Sequence, residues 1–349
     1  MVDLQKHLIF ESDEILLALE KINDIPKHLT LFVLDQNNKL IGTLTDGDIR
    51  RGFLKGLKLS DKVKSFTFKN FSKVLENSID PIEVKRIKEL GVKLLPVVNA
   101  NNIIVRVIDF SQVKNSLPID AIIMAGGRGE RLRPHTDTLP KPLLKIGEKT
   151  IIEHNIDLLR SFGIRNFFIS VRYLGNLIES HIGNGSNRGV EIEYIHEDKP
   201  LGTIGSVSSI KKFDQKYVLV INSDILTNLD YEDFFLDFIN QNADFSVVTI
   251  PYKIDIPYAV LETSNNSILS FKEKPSYTYY SNGGIYLIKR ELLNKIPQNT
   301  FYNTTDLMEN LIKTGFNVIS FPMRQYWLDI GRPEDFEKAK NDIKHLNFS

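Results

Sequence analysis

The sequence predicts an α/β protein in two parts. A larger C-terminal domain is built on a mostly parallel sheet with helices on both faces, and a smaller N-terminal module precedes it. Three observations carry this. From residue 119 onward, short β-branched or aromatic runs alternate with helical stretches. Before that lies an internal repeat of a different kind. Between the two, the polar run SQVKNSLPID (111–120), with Pro118 inside it, breaks both patterns. At 349 residues the chain also exceeds one average domain. The expected bounds are 1–115 for the first module, 116–120 for a linker and 121–349 for the second domain.

The repeat pairs TLFVLDQNNKLIG (30–42) with KLLPVVNANNIIVR (from Lys93), so that Asn38 and Asn102 correspond, 64 residues apart. Each copy reads as helix, strand, Asn-rich turn, strand. Ile15, Leu16, Leu19 and Ile22 supply helical spacing in the first copy; Ile79, Ile82, Ile87 and Leu90 do so in the second. Asn37-Asn38 and Asn101-Asn102 suit tight hairpins because Asn tolerates positive φ.

In the second domain, DAIIMAGG, NFFISV, YVLVINSD and DFSVVTI read as strands. TIIEHNIDLLRSFG (150–163) reads as a helix closed by a glycine C-cap. Ligands of such sheets bind beyond the carboxyl ends of strands, and the first strand runs directly into Gly126, Gly127 and Gly129. Glycines there let backbone N–H groups approach a phosphate unhindered. Arg131 and Lys141 set cations beside that loop. The loop is not a Walker A sequence, since no Gly-Lys-Ser/Thr follows, and Leu132 stands where a dinucleotide fingerprint needs its third glycine.

The stretch AGGRGERLRPHTDTLPKPL (125–143) resembles the nucleotide-binding signature of the sugar-1-phosphate nucleotidyltransferases, and the likeness continues in family order to about residue 333. EDKPLGTIGS (197–206) resembles the segment under base and ribose, with Gly202 and Thr203. VINSDIL (220–226) resembles the strand ending in a metal-binding aspartate, here Asp224. FKEKP (271–275) resembles the sugar-phosphate element, with Glu273 for sugar hydroxyls and Lys274 for the phosphate. SNGGIYLI (281–288) resembles the sugar-pocket strand, where Gly284 leaves room for the ring, and WLDIGRPED (327–335) carries the second aspartate, Asp329. In the first module, GTLTDGDIRR (42–51) resembles the end of a CBS motif, with Thr45 and Asp48 placed to hold a ribose and phosphate. In the second copy those positions are Asp109 and Gln112, and Gly42 becomes Arg106.

The resemblance implies a Rossmann-like three-layer nucleotidyltransferase domain (mixed, mostly parallel sheet) preceded by a tandem CBS (Bateman) module. It implies a nucleoside triphosphate and a sugar 1-phosphate as substrates. Ala125, Gly126, Gly127, Gly129, Arg131, Lys141, Gly202 and Thr203 would bind the nucleotide. Glu273, Lys274 and Gly284 would hold the sugar phosphate, and Asp224 and Asp329 would bind Mg²⁺. The CBS pair would take an adenine nucleotide or serve assembly, in a homo-oligomer. A CBS pair joined to such a transferase resembles the glucosamine-1-phosphate guanylyltransferases of bacterial legionaminic-acid biosynthesis, which points to GTP; mannose-1-phosphate guanylyltransferases are the nearest rival. The contrasting reading is a nucleotide-sensing protein without catalysis. Tyr277, Tyr279 and Tyr280 are expected to pack rather than line the pocket.

Composition narrows the rest. Lys+Arg and Asp+Glu balance at 44 each, so no overall field attracts nucleic acid or an acidic membrane. With no cysteine there is no disulfide, thiolate metal site or cysteine nucleophile. Acidic residues near the N-terminus and the lack of a long apolar run make a cytoplasmic protein the expectation.

Overall fold

The computed structural model describes residues 3–25 and 27–346; the outermost residues of the expected bounds, 1–2 and 347–349, lie outside them. The chain divides into two compact units. One runs to Leu117 and takes in Ser161–Gly163, and the other holds Pro118–Arg160 and Ile164 onward.

In the N-terminal unit, β1 (Leu8–Phe10), α1 (Ile15–Asp24), β2 (Thr30–Leu34), β3 (Leu40–Thr45) and α2 (Asp46–Leu54) form the first copy. The second has β4 (Val74–Leu75), α3 (Pro81–Glu89), β5 (Leu94–Val98) and β6 (Ile104–Asp109). Each is a three-stranded sheet, ordered β1-β2-β3 and β4-β5-β6. The repeat reaches the register itself. Val33 faces Gly42 and Val97 faces Arg106, with an irregularity at the next residue in both copies. Asn38 (φ 61°) and Asn102 (φ 63°) both take the left-handed conformation of the hairpin. In both, an upstream side chain, Asp35 or Asn99, accepts two turn N–H groups. The copies share a cluster of Phe32, Leu34, Leu40, Leu94 and Val98.

Helix burial departs from the sequence expectation at particular positions. Ile15, Ala18 and Ile22 bury the face of α1, whereas Leu16 is 47% exposed. In α3 the buried face is Val84 and Ile87, while Ile82 and Leu90 are 52% and 72% exposed. At each helix the strands cover only a narrow stripe, so neighbouring apolar positions fall outside it.

The C-terminal unit begins with β7 (Ile119–Ala125), the short hairpin β8 (Lys145–Ile146) and β9 (Lys149–Thr150), and α4 (Ile151–Ser161). Gly163 follows with φ 80°, the left-handed stop its position after the helix requires. Then come β10 (Asn166–Val171), α5 (Gly175–Ile182), β11 (Glu191–His196), β12 (Tyr217–Asn222), β13 (Ile225–Thr227) and α6 (Tyr231–Asn240). The chain continues through β14 (Phe245–Asp255), β15 (Val260–Ser264), β16 (Ser267–Lys272) and β17 (Ser276–Lys289). It ends with α7 (Thr304–Lys313), β18 (Val318–Pro322), β19 (Trp327–Asp329) and α8 (Pro333–Asp342).

Seven strands form the main sheet, in the order β11-β10-β7-β12-β17-β14-β18. All neighbours are parallel except those of β17, which runs against both β12 and β14. This is the mixed, mostly parallel sheet expected. Because β7 is flanked by β10 on one side and β12 on the other, the strand order reverses beside it, and the glycine loop opens at that switch point. The strands bury near-continuous apolar runs, Ile119–Ile123 and Val218–Ile221 among them, as strands covered on both faces do.

Candidate active site

A cavity of about 570 Å³ opens at the end of β7, with Gly126, Gly127, Gly129, Arg131, Lys141 and Asp224 on its wall. Gly127 has nothing within 4 Å of where a Cβ would stand, so its backbone faces open space. Gly129, at φ 64°, turns the chain into the short helical turn Glu130–Leu132, which carries Arg131 while Leu132 is buried beneath. On the far wall lie Gly202 and Thr203. A Cβ on Gly202 would sit 2.5 Å from the Tyr302 carbonyl oxygen, and φ is 79°, so only glycine fits. Ala125 is buried one residue behind the loop and does not reach the cavity.

A second cavity of about 320 Å³ adjoins it, since Thr203, Asn222 and Asp224 line both. Its other walls include Gly284, Trp327 and Asp329. Gly284 (φ 70°) packs against Asn222, whose amide would lie 2.7 Å from a Cβ there. The Trp327 indole N–H donates to the Gly283 carbonyl (2.9 Å), which fixes the ring at the rim.

The two aspartates meet between the cavities although 105 positions separate them in the chain. The three-residue strands β13 and β19 pair antiparallel, with Ile225 opposite Asp329, and the Ile330 N–H donates to the Asp224 carbonyl. Lys141, itself buried, places its Nζ 2.5 Å from Asp224 Oδ2 and 3.9 Å from Asp329 Oδ1. Burial raises the Asp329 carboxyl above its ordinary value. The Asp224 charge adds to this, while Lys141 and Arg131 oppose it.

Asp224 Oδ1 and Asp329 Oδ1 are buried and accept no hydrogen bond. Two carboxylate oxygens so placed carry a desolvation cost that a hard cation would offset. The donor set, carboxylates without imidazole or thiolate, suits Mg²⁺, which keeps waters and substrate phosphates as its remaining ligands. Among the described residues no group of three or more His, Cys, Asp or Glu gathers to hold a metal by protein alone. The residues therefore fit a metal that arrives with substrate.

Glu273 and Lys274 stand away from both cavity walls. Both are exposed. They lie at the turn from β16 into β17, on a two-stranded extension with no core face to hold it against the sheet. Tyr279 and Tyr280, expected to pack, are 58% and 60% exposed on the same extension. In the N-terminal unit, Thr45 and Asp48 engage each other. The Thr45 hydroxyl donates to Asp48 Oδ2 (2.6 Å) and accepts from the Asp48 N–H, a capping box on α2.

Three residues of the cavity wall were not singled out from sequence. Arg172 follows the last residue of β10, so the strand-end rule would have found it. Asn222 ends β12. Glu197 lies behind the glycine loop, accepting from the Ser170 hydroxyl (2.5 Å) and the Leu201 N–H (3.2 Å). Its Oε1 would stand 3.0 Å from a Cβ on Gly126.

Residues 120–345 match the family model described as nucleotidyl transferase. The chain is similar to a D-glycero-α-D-manno-heptose 1-phosphate guanylyltransferase of Aneurinibacillus thermoaerophilus, 29% identical over 65% of this chain and 99% of that protein. It is also similar to a UTP–glucose-1-phosphate uridylyltransferase of Synechocystis, at 31% over 63% of this chain. A mannose-1-phosphate guanylyltransferase of Mycobacterium tuberculosis matches at 29% over 64%. Of these last two it spans 62% and 64% of the length. Among solved structures, HddC of Yersinia pseudotuberculosis superposes with a TM-score of 0.51 at 26% identity, covering 64% of this chain and 99% of that one. A Bacillus anthracis protein provisionally assigned as a glucose-1-phosphate thymidylyltransferase gives 0.54 at 25%, covering 66% and 97%. With glycine loop, paired cavities and paired aspartates on a family match over most of its length, the chain belongs to the nucleotidyl transferase family.

Proposed function

We propose that this chain joins a nucleoside triphosphate to a sugar 1-phosphate, releasing pyrophosphate, with GTP and glucosamine 1-phosphate as the substrate pair. The observation that carries the reading is the meeting of Asp224 and Asp329 at the junction of two adjoining cavities. The larger cavity, with the glycine loop, Arg131 and Lys141, receives the triphosphate. The smaller one, with Asn222, Gly284 and Trp327, receives the sugar. Their junction is then where the two phosphates face one another.

In the reaction an oxygen of the sugar phosphate attacks the α-phosphorus. The bond from that phosphorus to the bridging α–β oxygen breaks, and pyrophosphate leaves with the electron pair. The attacking oxygen is already anionic, so no general base is needed. The barrier is repulsion between two anions and their alignment. Loop N–H groups and the Arg131 guanidinium hold the triphosphate. Lys141 exchanges its partner Asp224 for phosphate oxygens, and Lys274, on its extension, meets the sugar phosphate. Bound between Asp224 and Asp329, Mg²⁺ would supply neutralising charge for the transferring phosphate.

The N-terminal unit is, in the same proposal, a paired CBS module. Its support is the 64-residue repeat that extends to strand register and turn conformation. GTP is favoured because guanylyltransferases recur among the relatives. The test is pyrophosphate release from GTP, UTP, CTP, ATP and dTTP, each crossed with glucosamine, N-acetylglucosamine, glucose and mannose 1-phosphates. Preference for GTP with glucosamine 1-phosphate is expected. Preference for mannose 1-phosphate would keep the chemistry and overturn the sugar, and no release from any pair would leave the nucleotide-sensing alternative.

A further inference from the structure

Phe301 stands on the wall of the larger cavity with 59% of its surface open. A single exposed aromatic is ordinary on a protein surface. This one differs in how tightly the backbone on either side of it is held. The Tyr302 N–H donates to the Leu201 carbonyl (3.0 Å), and the Tyr302 carbonyl accepts from the Ile204 N–H (3.2 Å) and the Gly205 N–H (3.1 Å). Asn303 Oδ1 accepts from the Thr203 N–H (3.3 Å), and the Thr304 N–H donates to the Thr203 hydroxyl (2.8 Å). Glycine at both 202 and 205 permits this approach. A Cβ would lie 2.5 Å from the Tyr302 carbonyl oxygen at the first and 2.5 Å from the Thr300 carbonyl oxygen at the second. Residues 300–304 are thus laid along 201–205, the proposed nucleotide wall. The Phe301 ring takes part in none of these bonds, and a side chain left mostly in water adds little burial to the fold.

We infer that the Phe301 ring is a stacking platform for the base of the nucleoside triphosphate. The inference rests on the reaction proposed above and adds a residue to its nucleotide site. The chemistry of the cavity selects the base over the other parts of the substrates. Phosphates take cations and N–H groups, which the same cavity offers at the glycine loop, Arg131 and Lys141. The sugar belongs to the smaller cavity, which Phe301 does not line. The base is the flat, weakly hydrated part of the triphosphate, and Pro200 and Leu201 share the cavity wall with Phe301 and Gly202. Laid on the ring, the base takes both faces out of water. Stacking of one base on an aromatic side chain is worth about 5- to 150-fold in affinity.

Calorimetric titration of the full chain, with Mg²⁺ and without sugar phosphate, reads binding apart from turnover. GTP and inorganic triphosphate are each titrated into the wild type, Phe301→Ala and Phe301→Tyr. Phe301→Ala should weaken GTP about tenfold or more and leave inorganic triphosphate unchanged. Phe301→Tyr keeps the flat face and should bind GTP as the wild type does. Every base has a π face, so the same comparison holds for whichever triphosphate the wild type binds. Unchanged nucleotide affinity in Phe301→Ala overturns this inference alone. So does equal weakening of nucleotide and inorganic triphosphate, which would make the ring a prop of the wall. A wild-type chain that binds no nucleoside triphosphate would overturn the proposed reaction as well.

Discussion

Asp224 and Asp329 are the residues on which the proposed chemistry depends most. Asp224→Asn or Asp329→Asn removes a partly exposed carboxylate charge beside Lys141 and should lower kcat by about 10²–10³, on the order of 3–4 kcal/mol of transition-state stabilisation. A Mg²⁺ titration of turnover, with the circular dichroism spectrum unchanged, checks it; full activity in either variant would remove that residue from the centre. Gly202→Ala tests the nucleotide wall. At φ 79° and facing the Tyr302 carbonyl, the added methyl should cost roughly 1–3 kcal/mol of backbone strain. The KM for the triphosphate should rise more than kcat falls. The glycines were legible in sequence because a sharp turn out of an apolar strand has few other uses for three of them. That Glu273 and Lys274 stand off the cavity walls was not legible, because a five-residue motif states which side chains are offered, not where its supporting strands lie. Arg172 was overlooked because a single arginine after a strand carries no pattern of its own.

Elements differ in how much of them a sequence shows. The long apolar runs of β7, β10 and β12 were plain, and so was α4 with its terminal glycine. The strands β13 and β19 were not, being three residues each, and their pairing is what unites the aspartates. Short distant pairings leave no periodicity to detect. At the start of α4, burial pushes the Glu153 carboxyl up. Hydrogen bonds from the Thr150 N–H and hydroxyl, together with the Arg188 guanidinium, outweigh it and hold the pKa at about 2, against an ordinary 4.5. A depressed carboxylate stabilises the fold fully above its unfolded value. That contribution is lost as pH falls from 4.5 toward 2. After solvent screening it amounts to about 1–2 kcal/mol. Glu153→Gln should therefore lower stability at pH 7 and flatten its decline below pH 4.5; urea unfolding at stepped pH reads both.

At the scale of the whole chain, the repeat and the break at Pro118 were visible, because both are changes of pattern rather than single residues. The extension of residues 251–282 was not, since its strands look like any others until the structure leaves every residue of it unburied. Thr45 and Asp48 occupy one another in a cap, so an adenine nucleotide at the N-terminal unit must compete with that bond. Titration of the full chain with AMP, ADP and ATP by calorimetry should give binding that Asp48→Ala weakens several-fold. Absence of heat with all three would leave assembly as the unit's role.

The central claim is nucleotidyl transfer at the paired cavities. Its most direct measurement is ³¹P NMR of the full chain with Mg²⁺, GTP and glucosamine 1-phosphate. Pyrophosphate and a sugar-linked diphosphate should appear in equal amounts as both substrates decline, and both should form about 10²–10³-fold more slowly with Asp224→Asn. Orthophosphate without the sugar product, or equal turnover by that variant, would contradict the account.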